Sequence, residues 1–192
     1  MNILSIDQNL LVKANSLVNQ NWFLDKALTV GGIYFVYLVP VVFIICWFTY
    51  RKYQFEIALA LLSGLFSWFV LTKLIISHIW FRPRPDVGIV GLKEIFFHRP
   101  DYSFPSDHVS MLAGIAFALY FAKLTKAANY VLIATIIVAI CRVIIGVHFP
   151  LDVAAGLGVG ALGAYIIHVL RKPIKKYIFD PIIPMIRKIK LA

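Results

Sequence analysis

Residues 151–170 read LDVAAGLGVGALGAYIIHVL, a run in which Asp152 is the only charged side chain. About twenty consecutive apolar residues are enough for an α-helix to cross the hydrocarbon core of a bilayer. Earlier in the chain, apolar runs of similar character lie at roughly 27–50, 55–80, 104–122 and 127–147. Five such runs predict an all-α fold, a polytopic membrane helical bundle.

The composition agrees with this fold class. Hydrophobic residues make up 61% of the 192 residues and charged residues 15%. A chain of this composition has too few polar residues to cover the core of a water-soluble protein. We expect a single membrane-embedded domain over 1–192 with five or six helices. The mixed apolar and polar pattern of 1–26 predicts an amphipathic helix lying on the membrane surface, and 171–192 reads as a basic cytoplasmic tail.

The net charge of +10 is concentrated in a few segments. Seven Lys and Arg residues lie within 171–190, and others lie in the loops at 51–56 and 123–126. Basic loops beside apolar helices are typical of the cytoplasmic face and of contact with anionic lipid, so we expect membrane lipids and no nucleic acid as partners. The loops at 81–104 and 142–150 would then face the periplasm or the extracellular side of the plasma membrane. Nothing in the sequence predicts a protein partner.

Three polar clusters lie at the predicted outward ends of the helices. They are FRPRP at 81–85, FPSDH at 104–108, and the segment from Cys141-Arg142 to HFPLD at 148–152. A charge inside or near the hydrocarbon region is costly, so the convergence of three such clusters on one face predicts a functional site.

The cationic residues of these clusters favour an anion as the ligand. Arg82, Arg84 and Arg142 bring guanidinium groups, which match phosphate oxygens in a bidentate manner. Pro105 and Pro150 are suited to the first position of a helix, which predicts that two helix N-termini also point at the site. The sequence therefore predicts a phosphate pocket.

Two histidines beside this pocket suggest chemistry. Asp152 lies four residues after His148, in the first turn of the predicted helix, where it can reach back and orient the imidazole. One ring nitrogen of His148 is then available as a nucleophile. We expect His108 to act as an acid and then a base, and Ser106 to donate to phosphate. Asp107 and Ser77 are further possible site residues, although Ser106 and Asp107 also suit simple helix capping.

The clusters resemble the signature of the type 2 phosphatidic-acid phosphatase superfamily, which is Lys-x6-Arg-Pro, then Pro-Ser-Gly-His, then Ser-Arg-x5-His-x3-Asp. The second element is similar to 105–108 and the third to 141–152. The resemblance implies a metal-independent phosphatase without a cofactor that forms a phosphohistidine on His148. It also implies these roles for the neighbouring side chains: Asp152 orients His148, His108 is acid and base, and Arg84, Ser106 and Arg142 hold the phosphate.

This chain departs from the family pattern at its first element. The residue seven positions before Arg84 is Ser77, where the family has Lys. Lys73 lies one helical turn further away and Arg82 lies two residues from Arg84, so either could supply the missing charge, and we favour Arg82.

Asp107 in place of Gly, the FRPRP run and the small size resemble the bacterial undecaprenyl-diphosphate phosphatases of this superfamily. The resemblance implies hydrolysis of undecaprenyl diphosphate to undecaprenyl phosphate on the outer face, a step of peptidoglycan biogenesis. His98, in the outer loop, could contact a second phosphate, although a solvated loop histidine is the alternative.

Other functions stay open on the sequence alone. The same residues suit a phosphatase of phosphatidylglycerophosphate, phosphatidate or lipid A, because apolar helices that bind a lipid tail leave no short motif. A lipid phosphotransferase would use the same phosphohistidine. An anion transporter is a more distant alternative, since the charges collect at one end of the bundle.

Overall fold

The computed structural model describes residues 2–86, 88–89, 91–95 and 100–188. Helices follow one another along the chain, and we number them α1 (Ile3–Asn15), α2 (Trp22–Thr49), α3 (Arg51–Ile79), α4 (Asp107–Phe121), α5 (Thr125–Ile144) and α6 (Pro150–Val169). A last helix, α7, consists of three consecutive segments, Arg171–Ile174, Lys175–Phe179 and Asp180–Lys188. The predicted all-α bundle is confirmed.

Four of the described helices, α2, α3, α5 and α6, are long and apolar enough to cross a membrane. The fifth predicted span is shorter, because α4 has 15 residues. At 1.5 Å per residue α4 is about 22 Å long, below the ~30 Å of a hydrocarbon core. It packs against α3, α5 and α6, so that neighbouring helices and not lipid surround most of its length.

The apolar residues of the outer helices face outward. On α2 and α5 large aliphatic side chains are exposed, among them Val41, Ile44, Ile45, Ile133, Ile137 and Ile140. Such extensive apolar surface is unusual for a protein in water and is expected where the surroundings are lipid tails. The exposed apolar side chains of α2 and α5 therefore form a surface of the kind that contacts lipid in membrane proteins.

Close packing between α4 and α6 positions the polar clusters. A methyl group added at Gly160 of α6 would lie 2.4 Å from Cβ of Ala113 and 2.7 Å from the backbone nitrogen of Gly114. One turn earlier, a methyl group added at Gly156 would lie 3.1 Å from the carbonyl oxygen of Ser106. These contacts agree with the small-residue spacing of α6. They hold the first turn of α4 against the first turn of α6.

The N-terminal helix α1 is attached to the bundle by polar contacts. Its buried face consists of Asp7, Leu11 and Asn15. The Asn15 amide donates to the carbonyl of Lys93 at 3.0 Å and to that of Ile144 at 2.8 Å, and Asn15 Oδ1 accepts from the backbone N–H of Lys93 at 2.7 Å. The same helix also carries exposed apolar side chains, namely Ile3, Leu4 and Leu10. The location of α1 on the membrane surface stays a prediction.

The basic segments meet at the opposite end of the bundle from the polar clusters. A cavity of about 410 Å³ lies between the start of α3, the C-terminal ends of α4 and α6, and the start of α7. Cationic side chains line much of it, namely Lys123, Arg171, Lys172 and Lys175. The fold therefore separates the two sets of charges by the length of the bundle, as the predicted topology requires.

The close contact at Gly160 yields a test of this packing. We expect Gly160→Ala to destabilise the protein by about 1–3 kcal/mol, because the methyl group meets backbone atoms that cannot move easily. The matched control is Gly158→Ala on the same helix, where an added methyl group has no neighbour within 4 Å. Thermal unfolding in detergent measures both variants. Equal melting temperatures for the two would contradict the packing.

Candidate active site

The three polar clusters come together around His148. This residue lies in the loop between α5 and α6 and is fully buried. Arg142, near the end of α5, places Nη2 2.9 Å from His148 Nε2, and Arg84, in the loop after α3, places Nη1 3.2 Å from the same nitrogen. Arg84 also donates to the carbonyl of Val147 at 3.0 Å. The structure therefore brings together the two arginines and the histidine that the sequence predicted.

The arrangement determines which nitrogen of His148 carries the proton. A guanidinium has donors and no acceptor, so Nε2 of His148 must present a lone pair to Arg84 and Arg142. The proton of the neutral ring then lies on Nδ1. Burial, and next the charges of Arg142 and Arg84, lower the pKa of His148 well below its ordinary value. The site holds a neutral imidazole with a free electron pair on Nε2, which is the form required of a nucleophile.

Asp152 lies on the other side of the His148 ring. As predicted, it reaches back from the first turn of α6, where Oδ2 accepts the backbone N–H of Phe149 at 2.8 Å. The same oxygen is 3.6 Å from His148 Nδ1, which is close for opposite charges but too long for a hydrogen bond. Pro150 is the first residue of α6, as predicted.

The start of α4 differs from the sequence prediction. The helix begins at Asp107 and not at Pro105. Ser106 is extended, at φ −69° and ψ 118°, and its backbone N–H donates to the carbonyl of Asp152 at 3.1 Å, so the chain enters the helix only after this contact. Among the described residues the buried Ser106 Oγ has no hydrogen-bond partner. A buried hydroxyl in this condition is suited to donate to a ligand oxygen.

His108 occupies the first turn of α4 and contacts α2. Its Nε2 is 3.3 Å from the carbonyl of Ile33, and the neighbouring carbonyl of Gly32 accepts Arg142 Nη1 at 2.7 Å. Both carbonyls belong to a π-helical turn, Val30–Tyr34. Such turns change the backbone pairing inside a helix and are frequent at functional sites. This contribution of α2 was not predicted, and its signal in the sequence is the Gly31-Gly32 pair inside an apolar run.

Two further residues, Asp101 and Tyr102, contact the predicted site residues and were not predicted from the sequence. Asp101, half exposed, forms an ion pair with Nε of Arg84. The Tyr102 hydroxyl donates to Asp107 Oδ1 at 2.9 Å. Burial and then the charge of Asp107 raise the pKa of Tyr102, so its hydroxyl keeps its proton. Asp107, predicted as a possible site residue, therefore binds the tyrosine at the edge of the pocket.

The predicted replacements for the missing lysine do not enter the pocket. Lys73 is exposed and takes no part in the contacts around His148, and Ser77 Oγ donates within its own helix to the carbonyl of Lys73 at 2.8 Å. Arg82 donates to Asp152 at 2.8 Å and to Asp7 at 2.6 Å, which occupies both terminal nitrogens. Among the described contacts neither Arg82 nor Lys73 reaches His148, and their role as phosphate ligands stays a prediction. His98 lies outside the described residues.

The N-terminus of α6 is also not available to an anion. The backbone N–H of Phe149 is taken by Asp152 and that of Leu151 by Asp7, at 2.9 Å. The prediction that this N-terminus adds free N–H donors to the phosphate pocket is therefore wrong for Phe149 and Leu151. The forks of Arg84 and Arg142 contact Nε2, and the buried hydroxyl of Ser106 at the start of α4 is a further donor. They can hold the oxygens of a phosphoryl group beside a nucleophilic nitrogen.

Comparison with known proteins gives a consistent result. A model of the PAP2 superfamily matches residues 55–176, which include all three clusters. YbjG of Escherichia coli (strain K12), provisionally named an undecaprenyl-diphosphatase, is 28% identical over 166 residues, which are 81% of this chain and 80% of that protein. Undecaprenyl-diphosphatase BcrC of Bacillus subtilis (strain 168) is 31% identical over 88 residues, 46% of this chain and 45% of that protein.

A solved structure shares the helical arrangement. It is a transmembrane PAP2 type phosphatidylglycerolphosphate phosphatase from Bacillus subtilis. The TM-score is 0.64 at 28% identity, and the match covers 91% of this chain and 89% of that chain.

The lowered pKa of His148 and its two arginine contacts predict a nitrogen NMR signature. A free imidazole protonates near pH 6.5, whereas we expect His148 to stay neutral at that pH, with the proton on Nδ1. ¹⁵N spectra of histidine-labelled protein in nanodiscs measure this, with the signal assigned by its loss in His148→Gln. The same sample denatured in SDS is the control. An imidazolium signal from His148 at pH 6 would contradict the arrangement.

Proposed function

The chain belongs to the PAP2 superfamily and is a membrane phosphatase, and from this premise we propose that it hydrolyses undecaprenyl diphosphate to undecaprenyl phosphate at the outer face of the plasma membrane. The observation that supports this most directly is the unprotonated Nε2 of His148 between two guanidinium groups. The choice of lipid rests on the similarity to YbjG and BcrC.

In the first step we propose that Nε2 of His148 attacks the terminal phosphorus. The bond from phosphorus to the bridging oxygen breaks, and the lipid monophosphate leaves. Arg84 and Arg142 turn their forks from Nε2 to the phosphoryl oxygens, with Ser106 donating to a third. His108 starts this step as the imidazolium, with Nε2–H directed at the carbonyl of Ile33. It delivers the proton on Nδ1 to the leaving oxygen and becomes neutral, which makes it the base of the next step.

In the second step His108 acts as the base. It takes a proton from water, whose oxygen attacks the phosphorus of the phosphohistidine. The bond between phosphorus and Nε2 breaks, inorganic phosphate leaves and neutral His148 is restored. Asp152 supports both steps, since its carboxylate lies 3.6 Å from Nδ1 and stabilises the positive charge that the ring carries while phosphorylated.

We further propose that the reaction needs no metal ion. The charge that develops on the phosphoryl oxygens is balanced by Arg84 and Arg142, which keep their charge at any physiological pH. A divalent cation placed between these two guanidinium groups would be repelled by both.

Two lipids are candidate substrates for this site. The similar solved structure is a phosphatidylglycerolphosphate phosphatase, which favours phosphatidylglycerophosphate as a second candidate. Both lipids present a terminal phosphate at the membrane surface and suit the same cradle. The two lipids differ because only undecaprenyl diphosphate has a diphosphate linkage, and because their tails differ in length.

The proposed reaction predicts a strong dependence on His148. We expect His148→Ala to lower phosphate release from undecaprenyl diphosphate on the order of 10³-fold or more, because no other group can form the covalent intermediate. Purified protein in detergent is assayed against undecaprenyl diphosphate, phosphatidylglycerophosphate and phosphatidate, with and without EDTA. Wild-type protein quenched during turnover of ³²P-labelled substrate should carry label that is stable to alkali and labile to acid.

The matched control is His168→Ala, since His168 lines the cavity at the opposite end of the bundle. It should keep the wild-type rate. Full activity of His148→Ala would eliminate the mechanism. If kcat/KM is higher for phosphatidylglycerophosphate than for undecaprenyl diphosphate, phosphatidylglycerophosphate is the preferred substrate and the proposed one is wrong. Inhibition by EDTA would contradict a metal-independent reaction.

The proposed topology predicts which residues an impermeant reagent can reach. In a Cys46→Ser, Cys141→Ser background, we expect Asp86→Cys to react with a membrane-impermeant maleimide in intact spheroplasts. Asp86 is exposed at the end that carries the site, and Lys123 is exposed at the basic end. Lys123→Cys should react only after permeabilisation. The reverse pattern would place the site on the cytoplasmic side.

A further inference from the structure

Helix α1 brings a carboxylate into the interior of the bundle. Asp7 is 2% exposed, although it lies on a helix whose apolar side chains are largely exposed. Its Oδ2 accepts Arg82 Nη2 at 2.6 Å and its Oδ1 accepts the backbone N–H of Leu151 at 2.9 Å. Both oxygens are therefore satisfied, as a buried carboxylate requires.

The contact with Leu151 fixes Asp7 to the helix that carries Asp152. The N-cap position of α6 is Phe149, whose side chain has no acceptor for the free N–H groups of the first turn. Asp7, far away in sequence, supplies one to the second residue of α6, as a capping side chain would. The carboxylate of α1 thus has a defined position relative to the first turn of α6.

Arg82 connects the two carboxylates. Its Nη1 donates to Asp152 Oδ1 at 2.8 Å, while Nη2 is held by Asp7. The guanidinium also lies over the ring of Phe149, 3.7 Å from the centroid. A planar fork held by two acceptors and an aromatic face has little freedom to rotate.

Asp152 in turn is held on both oxygens. Arg82 binds Oδ1, and the N–H of Phe149 binds Oδ2, which is the oxygen that faces His148 Nδ1. A continuous set of contacts therefore runs from α1 to the imidazole, in the order Asp7, Arg82, Asp152 and His148.

We propose that Asp7 is a positioning residue for the phosphohistidine reaction, acting through Arg82 to orient the Asp152 carboxylate towards Nδ1 of His148. The proposal rests on the reaction described under the proposed function. Asp7 touches neither substrate nor reacting atoms. It makes α1 a part of the active site and not only a surface element.

Charge explains why a second carboxylate is useful here. Arg82 paired with Asp152 alone would draw that carboxylate away from His148, because one full positive charge would face one negative charge. Asp7 shares the guanidinium, so Asp152 keeps negative charge for the imidazole ring. This matters most when the ring becomes phosphorylated and positive. Removal of Asp7 should therefore slow the chemical step and leave substrate binding, which depends on Arg84 and Arg142, nearly unchanged.

The same contacts give a role to Arg82, an arginine that the family signature does not include. Arg82 precedes the signature arginine, Arg84, by two residues in FRPRP. If Arg82 bound phosphate, its loss would raise KM. If it positions Asp152, its loss should lower kcat with little change in KM.

The experiment compares Asp7→Asn, Arg82→Gln and the double variant. Asparagine keeps the shape and an acceptor for Leu151 while removing the charge. We expect about a tenfold or greater fall in kcat for each single variant, with KM within about twofold of wild type. Because the two residues act in one series, the double variant should be no slower than Arg82→Gln. Asp25→Asn is the matched control, since Asp25 accepts a surface backbone N–H of Asn19, and it should keep full activity.

His148→Ala is assayed in parallel to separate two kinds of failure. Wild-type kcat for Asp7→Asn beside an inactive His148→Ala overturns the positioning role alone, whereas an active His148→Ala overturns the proposed reaction. Additive losses in the double variant, or a rise in KM without a fall in kcat, also overturn the positioning role. If Asp7→Asn does not yield monodisperse protein, Arg82→Lys tests the same link, because it keeps the charge and loses the fork. Wild-type kcat for Arg82→Lys would overturn the proposal.

Discussion

Two positive charges directed at one imidazole nitrogen are the constraint on which the rest of this structure depends. Arg84 and Arg142 both donate to Nε2 of His148, in a buried setting where like charges repel strongly. The ring must stay neutral and present a lone pair there. The arrangement persists because each guanidinium has another acceptor, the carbonyl of Val147 for Arg84 and the carbonyl of Gly32 for Arg142.

The residues that satisfy this constraint lie at or near the ends of helices. The glycine face of α6 lets α4 approach closely, so the first turns of both helices meet and the Ser106 N–H reaches the carbonyl of Asp152. The π-helical turn of α2 contributes carbonyl acceptors, and α1 contributes Asp7. In a membrane every buried polar group needs a partner within the protein. These contacts supply such partners at the end of the bundle where the loops carry the charged residues.

Local features of the site were predictable from spacing. Asp152 lies in the first turn after Pro150, and the helical geometry alone places its carboxylate near the backbone N–H of Phe149. The convergence of Arg84, Arg142 and His148 followed from the predicted topology, because all lie at the same ends of antiparallel spans. The prediction that α4 starts at Pro105 was wrong. The helix starts at Asp107, because the backbone N–H of Ser106 forms a tertiary hydrogen bond with the carbonyl of Asp152.

By itself the sequence determined the all-α membrane class, the family and the set of residues around His148, because apolar run length and motif spacing are properties of the chain. Only the tertiary structure decided that Arg82 binds two carboxylates, that Asp7 belongs to the site and that the N-terminus of α6 is already occupied. The physical reason is distance along the chain. Asp7 and Leu151 meet only after α1 packs on the bundle, and no local pattern records which buried donor a distant carboxylate will satisfy.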